Sequence, residues 1–491
     1  MQDLEIINEY EDRLRAYNLA FNTIYFDHET IAPKGGNDYR FKCLDILMEE
    51  FYKVKTDEKV YEALLRLEKE ELDEINKRRV KLLLKSFDEL KKIPSDLYLK
   101  FSSLRTKSQT IWEEAKKTNN YKLYEPYLIE LIKMSKQVYR YKNPVVEVYD
   151  QMLDDYEEGM NMELYDQFFN LIKEELVPLI KQIKDLDEIN NNCLKGKFEI
   201  DKQRKVQTVI KDFMNFDSSW GYMSEYMHPF TSGFSTKDVR VTTFYREDDF
   251  TDAIFSSIHE IGHATYEHQM NKEYEGGILQ NVSSGLHESQ SRLYENMLAR
   301  SYHFWDTLFP KIKEILNLDC TQEDFVKAIN VSKPSLIRTQ SDELTYPIHI
   351  LIRYEMEKAI FKDNIDLKDL NKLWNKYYLD YLDIEVDSDT NGILQDVHWS
   401  DANFGYFPTY ALGSAYAAQF MYYMQKNIDV DSLLSQGKLD AISTYLKEHI
   451  HKYSNTLEPK ELVFKATGEY FNPKYYIDYL KDKYTKLYKL Q

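Results

Sequence analysis

His259-Glu260-Ile261-Gly262-His263 lies inside the apolar-periodic stretch 254–266, and the rest of the chain is best interpreted around it. An α-helix takes about 3.6 residues per turn, so two histidines four positions apart lie one above the other on one face. Both imidazoles can then reach a single metal ion, and zinc is the ion that most often takes such a pair. Glu260 is well placed to take a proton from a water on that metal. The alternative is a helix with two surface histidines beside an acid.

A third ligand is expected downstream, because a zinc enzyme needs one more protein ligand and an open position. Glu288 lies 25 residues after His263, and the apolar residues Leu293, Met297 and Leu298 follow it. This spacing predicts a second helix that packs back against the first and brings Glu288 to the metal. Six of the eleven histidines fall between positions 228 and 303. Such clustering favours a functional site over scattered core histidines.

The composition predicts a mostly helical protein. The 491 residues are 43% hydrophobic and 30% charged, and only 12 prolines and 15 glycines interrupt them. Such a balance is typical of helices with strongly solvated outer faces. The formal net charge of −19 argues against a nucleic-acid partner, because a general nucleic-acid binder needs a basic face.

The cysteines and the termini predict a soluble cytoplasmic protein. Cys43, Cys193 and Cys320 are far apart and match no metal or redox spacing, which is typical of reduced thiols in the cytosol. The first five residues are acidic and lack an apolar signal core. The most apolar stretch, 404–424, contains a proline and a glycine, so we expect a buried helix there and no membrane partner.

The order of patterns along the chain predicts one domain, 1–491. Residues 1–200 are typical of successive amphipathic helices, and the catalytic region is expected over about 201–491. Polar and apolar residues alternate over 238–245, as they do in a half-buried strand. A short sheet is therefore expected just ahead of the helix that carries the two histidines.

With these residues in place, the chain resembles the carboxypeptidase Taq family of zinc metallocarboxypeptidases, the thermostable carboxypeptidase type. Further motifs of that family occur in the same order. They are Asp238-Val-Arg240-Val-Thr242, His287-Glu288-Ser289-Gln290, Ile337-Arg338-Thr-Gln-Ser341-Asp342 and Gly392-Ile-Leu-Gln395-Asp396-Val-His398-Trp399. One departure is Ser341, where the family pattern has alanine. Partial matches near residues 26–33 and 466–473 extend the resemblance to both ends.

The resemblance implies a mostly α, large helical zinc-peptidase fold. It has a deep active-site groove covered by the N-terminal helical region, residues 1–200, and a small antiparallel β-sheet beside the motif helix. It also implies a cytosolic homodimer that holds one Zn²⁺ per chain, with Co²⁺ able to substitute. The implied activity is removal of single residues from peptides with a free C-terminus, with broad side-chain tolerance. His259, His263 and Glu288 would be the metal ligands, and Glu260 the general base.

A carboxypeptidase needs a cation for the terminal carboxylate of its substrate, and the planar fork of arginine suits that group. By resemblance, Arg338 is the first candidate and Arg240 the second. The alternative for Arg240 is a salt bridge with Asp238 or another acid. Gln395 and Asp396 are expected to support other residues.

Other side chains are candidates for substrate contacts. The developing oxyanion needs a donor besides the metal, and related helical zinc peptidases place a histidine and tyrosines there; His398, Tyr406 and Tyr410 are the candidates. His228, in the stretch His228-Pro229-Phe230, resembles the family element that closes one end of the groove. The remaining histidines considered, His268, His303 and His349, are expected in the core or on the surface.

Two other functions fit some of these patterns. An oligopeptidase or peptidyl-dipeptidase would share the helical fold and the two-helix zinc site, and it would release different products. A non-catalytic peptide-binding scaffold could retain the motif. The intact Glu260 argues against the scaffold, because a protein without turnover has no use for a general base.

Overall fold

The computed structural model describes residues 2–362 and 365–490. The α-helices, in chain order, are α1 Gln2–Thr30, α2 Asn37–Lys55, α3 Glu58–Leu67, α4 Glu74–Lys92, α5 Ser95–Lys117, α6 Tyr121–Lys142, α7 Val148–Tyr156, α8 Met162–Leu171, α9 Val177–Lys184, α10 Ile200–Phe213, α11 Phe250–Gln269, α12 Ser284–Arg292, α13 Phe309–Leu316, α14 Gln322–Ile329, α15 Tyr346–Phe361, α16 Leu370–Leu382, α17 Phe407–Asn427, α18 Val430–Ser435, α19 Leu439–His449, α20 Pro459–Thr467 and α21 Lys474–Leu487. The strands are β1 Gly221–Glu225, β2 Thr231–Ser235 and β3 Asp238–Thr243. The prediction of a mostly α fold is confirmed.

The chain divides into two compact units, each built from separated stretches. Unit 1 contains the residues up to Lys91, then Asn190–Ile329 and Phe420–Tyr470. Unit 2 contains Lys92–Ile189, Asn330–Gln419 and the residues from Phe471 onward. The sheet and helices α11 and α12 belong to unit 1, and α15 and the motif around residue 398 belong to unit 2. The single-domain organisation expected from the sequence stays a prediction.

The small sheet lies beside α11, as expected, and its strand order is β1-β3-β2. Strands β2 and β3 form an antiparallel pair, whereas β1 runs parallel to β3. The sheet is therefore mixed, which corrects the expectation of a purely antiparallel one. The physical reason is the strand order: the chain reverses between β2 and β3, and β3 then lies between β2 and β1, where it runs in the same direction as β1. Val239 and Val241 of this central strand are fully buried.

Local sequence explains where the motif helix begins. Asp249 caps α11, because its carboxylate accepts from the backbone N–H groups of Thr251 (3.0 Å) and Asp252 (3.2 Å). The helix is buried along most of its length between the sheet and α12. After α12 the chain continues as a π-helical turn, Leu293–Leu298, a feature that often accompanies functional sites.

Within the described ranges, every helix is too short or too polar to cross a lipid bilayer.

Candidate metal centre and active site

Two helices of unit 1 bring three metal-binding side chains together. α11 presents His259 and His263, and α12 presents Glu288. The Nε2 atoms of the two histidines lie 3.7 and 3.3 Å from Oε2 of Glu288. One ligand atom from each residue lies within 4.8 Å of the other two. Two imidazoles and one carboxylate are a donor set that suits a catalytic divalent cation.

Gly262 explains why the two helices come so close. A Cβ atom at this position would lie 2.9 Å from the Cα of Ser291 and 3.1 Å from the carbonyl oxygen of Gln290. Any side chain on Gly262 would therefore push α12 away from α11. The glycine inside the motif lets α12 pack directly against α11, and this packing places Glu288 opposite the two histidines.

The electrostatics of the cluster favour a bound cation. Although burial alone would raise it, the positive charges of Arg292 and His259 hold the pKa of Glu288 well below its usual range. Burial lowers the pKa of His263 to about 3, so its imidazole stays neutral and can offer a lone pair. His259 is also buried, yet the charges of Glu288 and Glu295 raise its pKa. The cluster therefore combines an ionised carboxylate with two imidazoles, and a cation that binds Nε2 of His259 would displace the proton that the two acids favour there.

A carboxylate behind His259 fixes the orientation of that ring. Nδ1 of His259 lies 2.9 Å from Oε2 of Glu295, which also accepts from Nη1 of Arg292 at 3.2 Å. With Nδ1 held in this way, Nε2 faces Glu288. Glu295 was not predicted from the sequence, although an acid seven residues, or about two helical turns, after Glu288 is expected on the same helix face. Such partners hold the ring and its tautomer in many metal sites.

His263 is supported by stacking instead. Its ring lies 4.4 Å from the ring of His287, with 21° between the planes. His287 is held by Glu267, whose Oε1 lies 3.0 Å from Nε2 of His287. Among the residues that the structure describes, Nδ1 of His263 has no hydrogen-bond partner. The two histidines are thus held by different means.

Glu260 points to a strand of the sheet. The hydroxyl of Thr231, on β2, donates to Oε2 of Glu260 at 2.5 Å and to its backbone carbonyl at 3.0 Å. Burial raises the pKa of this carboxyl group. Glu260 is not among the three residues whose ligand atoms converge, and its role toward a substrate stays a prediction.

His451 joins the two helices behind the cluster and was not considered from the sequence. It is fully buried. Its Nδ1 lies 2.7 Å from Oε1 of Gln269 at the end of α11, and its Nε2 lies 2.8 Å from Oε1 of Gln290 on α12. The imidazole therefore connects the helices that carry the three candidate ligands. Only a folded structure could reveal this, because the three residues are distant in the sequence.

Unit 2 contains a buried cluster around Arg338. Oδ1 of Asp396 accepts from Nε (3.1 Å) and Nη2 (2.9 Å) of Arg338, and Oδ2 accepts from Nε of Arg353 at 2.7 Å. Arg338 is 7% exposed and Arg353 is fully buried. Gln395 accepts from the backbone N–H of Arg338. Two guanidinium groups thus share one carboxylate, which leaves positive charge that an anionic ligand could balance.

His398, Tyr406 and Tyr410 lie together in the same unit. The ring of His398 stacks on Tyr406 at 5.5 Å, and its Nε2 lies 3.4 Å from the hydroxyl of Tyr410. Burial lowers the pKa of His398 to about 4, so the imidazole is neutral. The guanidinium of Arg338 lies 5.1 Å from the ring centre of Tyr410. Four of the six predicted substrate residues therefore form one cluster.

The other two predicted substrate residues belong to unit 1. Arg240 makes a two-pronged salt bridge to Asp238, at 2.9 and 2.8 Å, which was the alternative considered for it. Its guanidinium also lies 4.1 Å from the ring centre of Phe234. His228 is exposed between β1 and β2, with its ring against Tyr226. Their roles toward a substrate stay predictions.

The three histidines expected in the core or on the surface each contact a neighbouring side chain. His349 is buried, with Nδ1 3.0 Å from the hydroxyl of Tyr378. His268 stacks on Trp220 at 4.0 Å. The third, His303, pairs with a nearby aspartate. None of the three is among the candidate ligands.

Known proteins are similar to this chain over nearly its whole length. A family model described as carboxypeptidase Taq (M32) metallopeptidase matches residues 6–484. Carboxypeptidase 1 of Bacillus subtilis is 40% identical over 486 residues, which cover 97% of each chain. Thermostable carboxypeptidase 1 of Thermus thermophilus is 32% identical over 481 residues, 94% of each chain.

A solved structure is also similar over the full length. The crystal structure of an M32 carboxypeptidase from Deinococcus radiodurans R1 superposes with a TM-score of 0.95 at 28% identity, covering 100% of both chains. The chain therefore belongs to the carboxypeptidase Taq (M32) family of metallopeptidases, and it is a metallocarboxypeptidase.

Proposed function

We propose that this enzyme is zinc-dependent and releases single amino acids from peptide C-termini with broad specificity. The observation that carries the proposal is the convergence of His259, His263 and Glu288 on one point, with their ligand atoms within 4.8 Å of one another. Broad side-chain tolerance is carried over from the family resemblance. The ion that most often takes two imidazoles and one carboxylate is zinc, and Co²⁺ is expected to substitute.

The proposed base is Glu260. A metal ion held by His259, His263 and Glu288 would supply Lewis acidity toward the scissile carbonyl and the attacking water. Glu260 then takes the proton of that water and delivers it to the leaving amine. The hydroxyl of Thr231 holds one carboxylate oxygen of Glu260 and leaves the other for this transfer. Burial raises the pKa of the group, which makes it a stronger base when ionised.

The proposed anchor for the terminal carboxylate is Arg338. Asp396 holds Nε and Nη2 of this guanidinium, so the fork keeps a fixed orientation. A second cation, Arg353, shares the same carboxylate, and the excess positive charge suits a carboxylate ligand. His398, Tyr406 and Tyr410 are proposed to donate hydrogen bonds to the substrate, with Arg240 and His228 as further contacts.

Product analysis tests the proposed activity. The zinc-loaded protein is incubated with an unblocked peptide of defined sequence, and the products are followed by mass. Stepwise loss of single residues from the C-terminus is expected. Release of dipeptides would instead indicate a peptidyl-dipeptidase, and cleavage into internal fragments would indicate an oligopeptidase. A protein that binds zinc but does not cleave the peptide would be a peptide-binding scaffold.

Assembly and location complete the proposal. We propose a cytoplasmic homodimer of single-domain chains, supported by the family resemblance and by the sparse cysteines. Light scattering on the purified protein measures the mass in solution. A mass equal to that of one chain of 58.7 kDa would contradict the dimer.

A further inference from the structure

The segment between two predicted substrate residues, His398 and Tyr406, is held at both ends by one carboxylate of unit 2. That carboxylate belongs to Glu357, which lies on α15 and is fully buried. Its Oε1 accepts from the indole N–H of Trp399 at 2.7 Å, and its Oε2 accepts from the backbone N–H of Gly405 at 2.8 Å. Trp399 directly follows His398, and Gly405 directly precedes Tyr406. One side chain therefore joins the two ends of the segment 399–405.

Helix α7 packs against the same end of the segment. The hydroxyl of Tyr149 on this helix donates to Oε2 of Glu357 at 2.8 Å. A Cβ atom on Gly405 would lie 2.6 Å from the carbonyl oxygen of Met152, and the φ of Gly405 is +87°, which glycine adopts without strain. The last residue of the segment is therefore closely enclosed between α7 and α15.

This arrangement fixes the positions of His398 and Tyr406 relative to each other. Their rings stack at 5.5 Å, with 23° between the planes. The backbone N–H of Asn403 donates to the carbonyl oxygen of His398 at 3.0 Å, which closes the first part of the segment. Glu357 adds the contact that reaches the last residue, Gly405. The stacked pair therefore depends on a side chain that lies on another helix.

The cost of burying Glu357 indicates that its hydrogen bonds matter. Burial raises the pKa of Glu357 to about 7, while the hydrogen bonds from Trp399, Gly405 and Tyr149 act in the opposite direction because they favour the ionised form. An apolar side chain would fill this space without the loss of hydration that a carboxylate suffers. It could not accept a hydrogen bond from either end of the segment.

We propose that Glu357 is a positioning residue of the active site, whose carboxylate holds the segment 399–405 so that His398 and Tyr406 keep the arrangement in which they contact the substrate. The inference rests on the proposed function, because His398 and Tyr406 are substrate contacts by that proposal. Glu357 is itself fully buried and acts through these neighbours.

Glu357→Gln tests this role. Glutamine has the shape of glutamate, but one end of its amide donates hydrogen bonds and cannot accept them. If the amide nitrogen faces Trp399, two donors meet at the start of the segment; if it faces Gly405, they meet at its end. Either orientation releases one end of the segment. With the zinc-loaded protein and an unblocked peptide, we expect kcat to fall about 10–100-fold, as misplaced active-site groups typically cause, and KM to change less.

Two variants serve as matched controls. Glu355→Gln makes the same change on the same helix, at a partly exposed carboxylate that pairs with Lys173 at 2.7 Å, and should keep the kcat of the parent. Tyr149→Phe removes one donor to Glu357 and leaves both contacts with the segment, so its loss of kcat should be much smaller. A loss in either control equal to that of Glu357→Gln would overturn the positioning role.

A double-mutant cycle separates positioning from a general loss of structure. Replacing both positioned residues, by His398→Ala together with Tyr406→Phe, should lower kcat by itself. Adding Glu357→Gln to that variant should then have little further effect, because the groups that Glu357 positions are gone. A full additional loss of kcat would show that Glu357 acts elsewhere and would overturn the proposal.

The indole of Trp399 gives a readout that does not depend on turnover. In protein made with isotope-labelled tryptophan, the N–H groups of the five indoles are observed by NMR, and Trp399→Phe identifies the signal of Trp399. That signal should shift in Glu357→Gln and stay in place in Glu355→Gln. An unchanged signal in Glu357→Gln would show that this carboxylate does not hold the indole, and the proposal would fail.

These measurements distinguish the positioning role from the proposed function. A kcat equal to that of the parent in Glu357→Gln, with a loss in His398→Ala and Tyr406→Phe, would overturn the positioning role and leave the substrate contacts intact. The kcat of the parent in His398→Ala and Tyr406→Phe would overturn the substrate contacts and the positioning role with them. If Glu357→Gln folds poorly, Trp399→Phe still releases the start of the segment, and an unchanged kcat there would overturn the proposal.

Discussion

The Cα of Ser291 lies 2.9 Å from the position that a Cβ atom on Gly262 would occupy. The atom that this Cβ would meet belongs to the backbone of α12, so the movement of a flexible side chain cannot relieve the contact. The close approach of α11 and α12 therefore requires that residue 262 has no Cβ atom. The candidate metal ligands lie on these two helices, so their distance depends on this glycine.

Gly262→Ala is therefore expected to weaken zinc binding. Alanine favours a helix over glycine, but overpacking a tight contact typically costs about 1–3 kcal/mol, and here it would move Glu288 from the histidines. A loss of affinity of about tenfold or more should appear in competition with a chromophoric chelator. Ser256→Ala, an equally small change on the same helix, is the control. Equal affinity in both variants would contradict the packing argument.

Glu295→Gln tests the support of His259. The carboxylate at 2.9 Å from Nδ1 holds the ring, and removing such partners typically lowers metal affinity about 10–100-fold. The variant should keep its helical circular dichroism and lose zinc more readily. Glu314→Gln, the same change at an exposed position, should bind zinc as the parent does. If Glu295→Gln also binds normally, the ring is held by other contacts.

Glu260→Gln and Glu288→Gln make the same chemical change at the proposed general base and at a proposed metal ligand. The first variant should retain one zinc per chain and lose about 10²–10⁴-fold in kcat, as expected for a positioned general base. The second should lose zinc affinity itself. Metal content and turnover are measured on both. Near-normal turnover of Glu260→Gln, or unchanged zinc affinity of Glu288→Gln, would remove the corresponding assignment.

Arg338→Ala tests how the enzyme recognises a free C-terminus. Truncating one partner of a buried charge pair typically costs about 2–5 kcal/mol, so kcat/KM for a free peptide should fall steeply. The parent should discriminate strongly against a C-terminally amidated peptide, and the variant should lose most of that discrimination. Measuring kcat/KM for the free and the amidated peptide with the parent and with the variant closes a thermodynamic cycle, which isolates the interaction of Arg338 with the terminal carboxylate.

A control variant and a second candidate anchor complete the experiment on Arg338. Arg204→Ala removes an exposed arginine and should leave the ratio between free and amidated peptide unchanged. If Arg338→Ala keeps the full ratio of the parent, the anchor lies elsewhere, and Arg240 becomes the residue to replace.

His451→Phe should destabilise the protein. Phenylalanine retains a ring against Tyr266, whose centre lies 4.7 Å away, but it leaves Gln269 and Gln290 without their buried partner. An unsatisfied buried polar group costs about 1–3 kcal/mol, so the free energy of unfolding should fall by about 2 kcal/mol or more. His449→Phe, at an exposed position, is the control. Equal urea midpoints for the two variants would show that the amides find other partners.

The sequence by itself determined what depends on local geometry. The spacing of His259 and His263 already required a shared helix face, because the period of an α-helix is a property of the backbone. The order of the motifs identified the family, and the alternation over 238–245 identified a strand. Glu288 could be predicted from its spacing and its motif, since a third ligand was needed.

Only the tertiary structure decided which distant side chains meet. Glu295 behind His259, His451 between two glutamines, and Asp396 shared by Arg338 and Arg353 all depend on how separate helices pack. The parallel pairing of β1 with β3 is of the same kind. Local spacing determines the face on which a residue lies, but contacts between elements depend on the packing of the whole core, which no local pattern encodes.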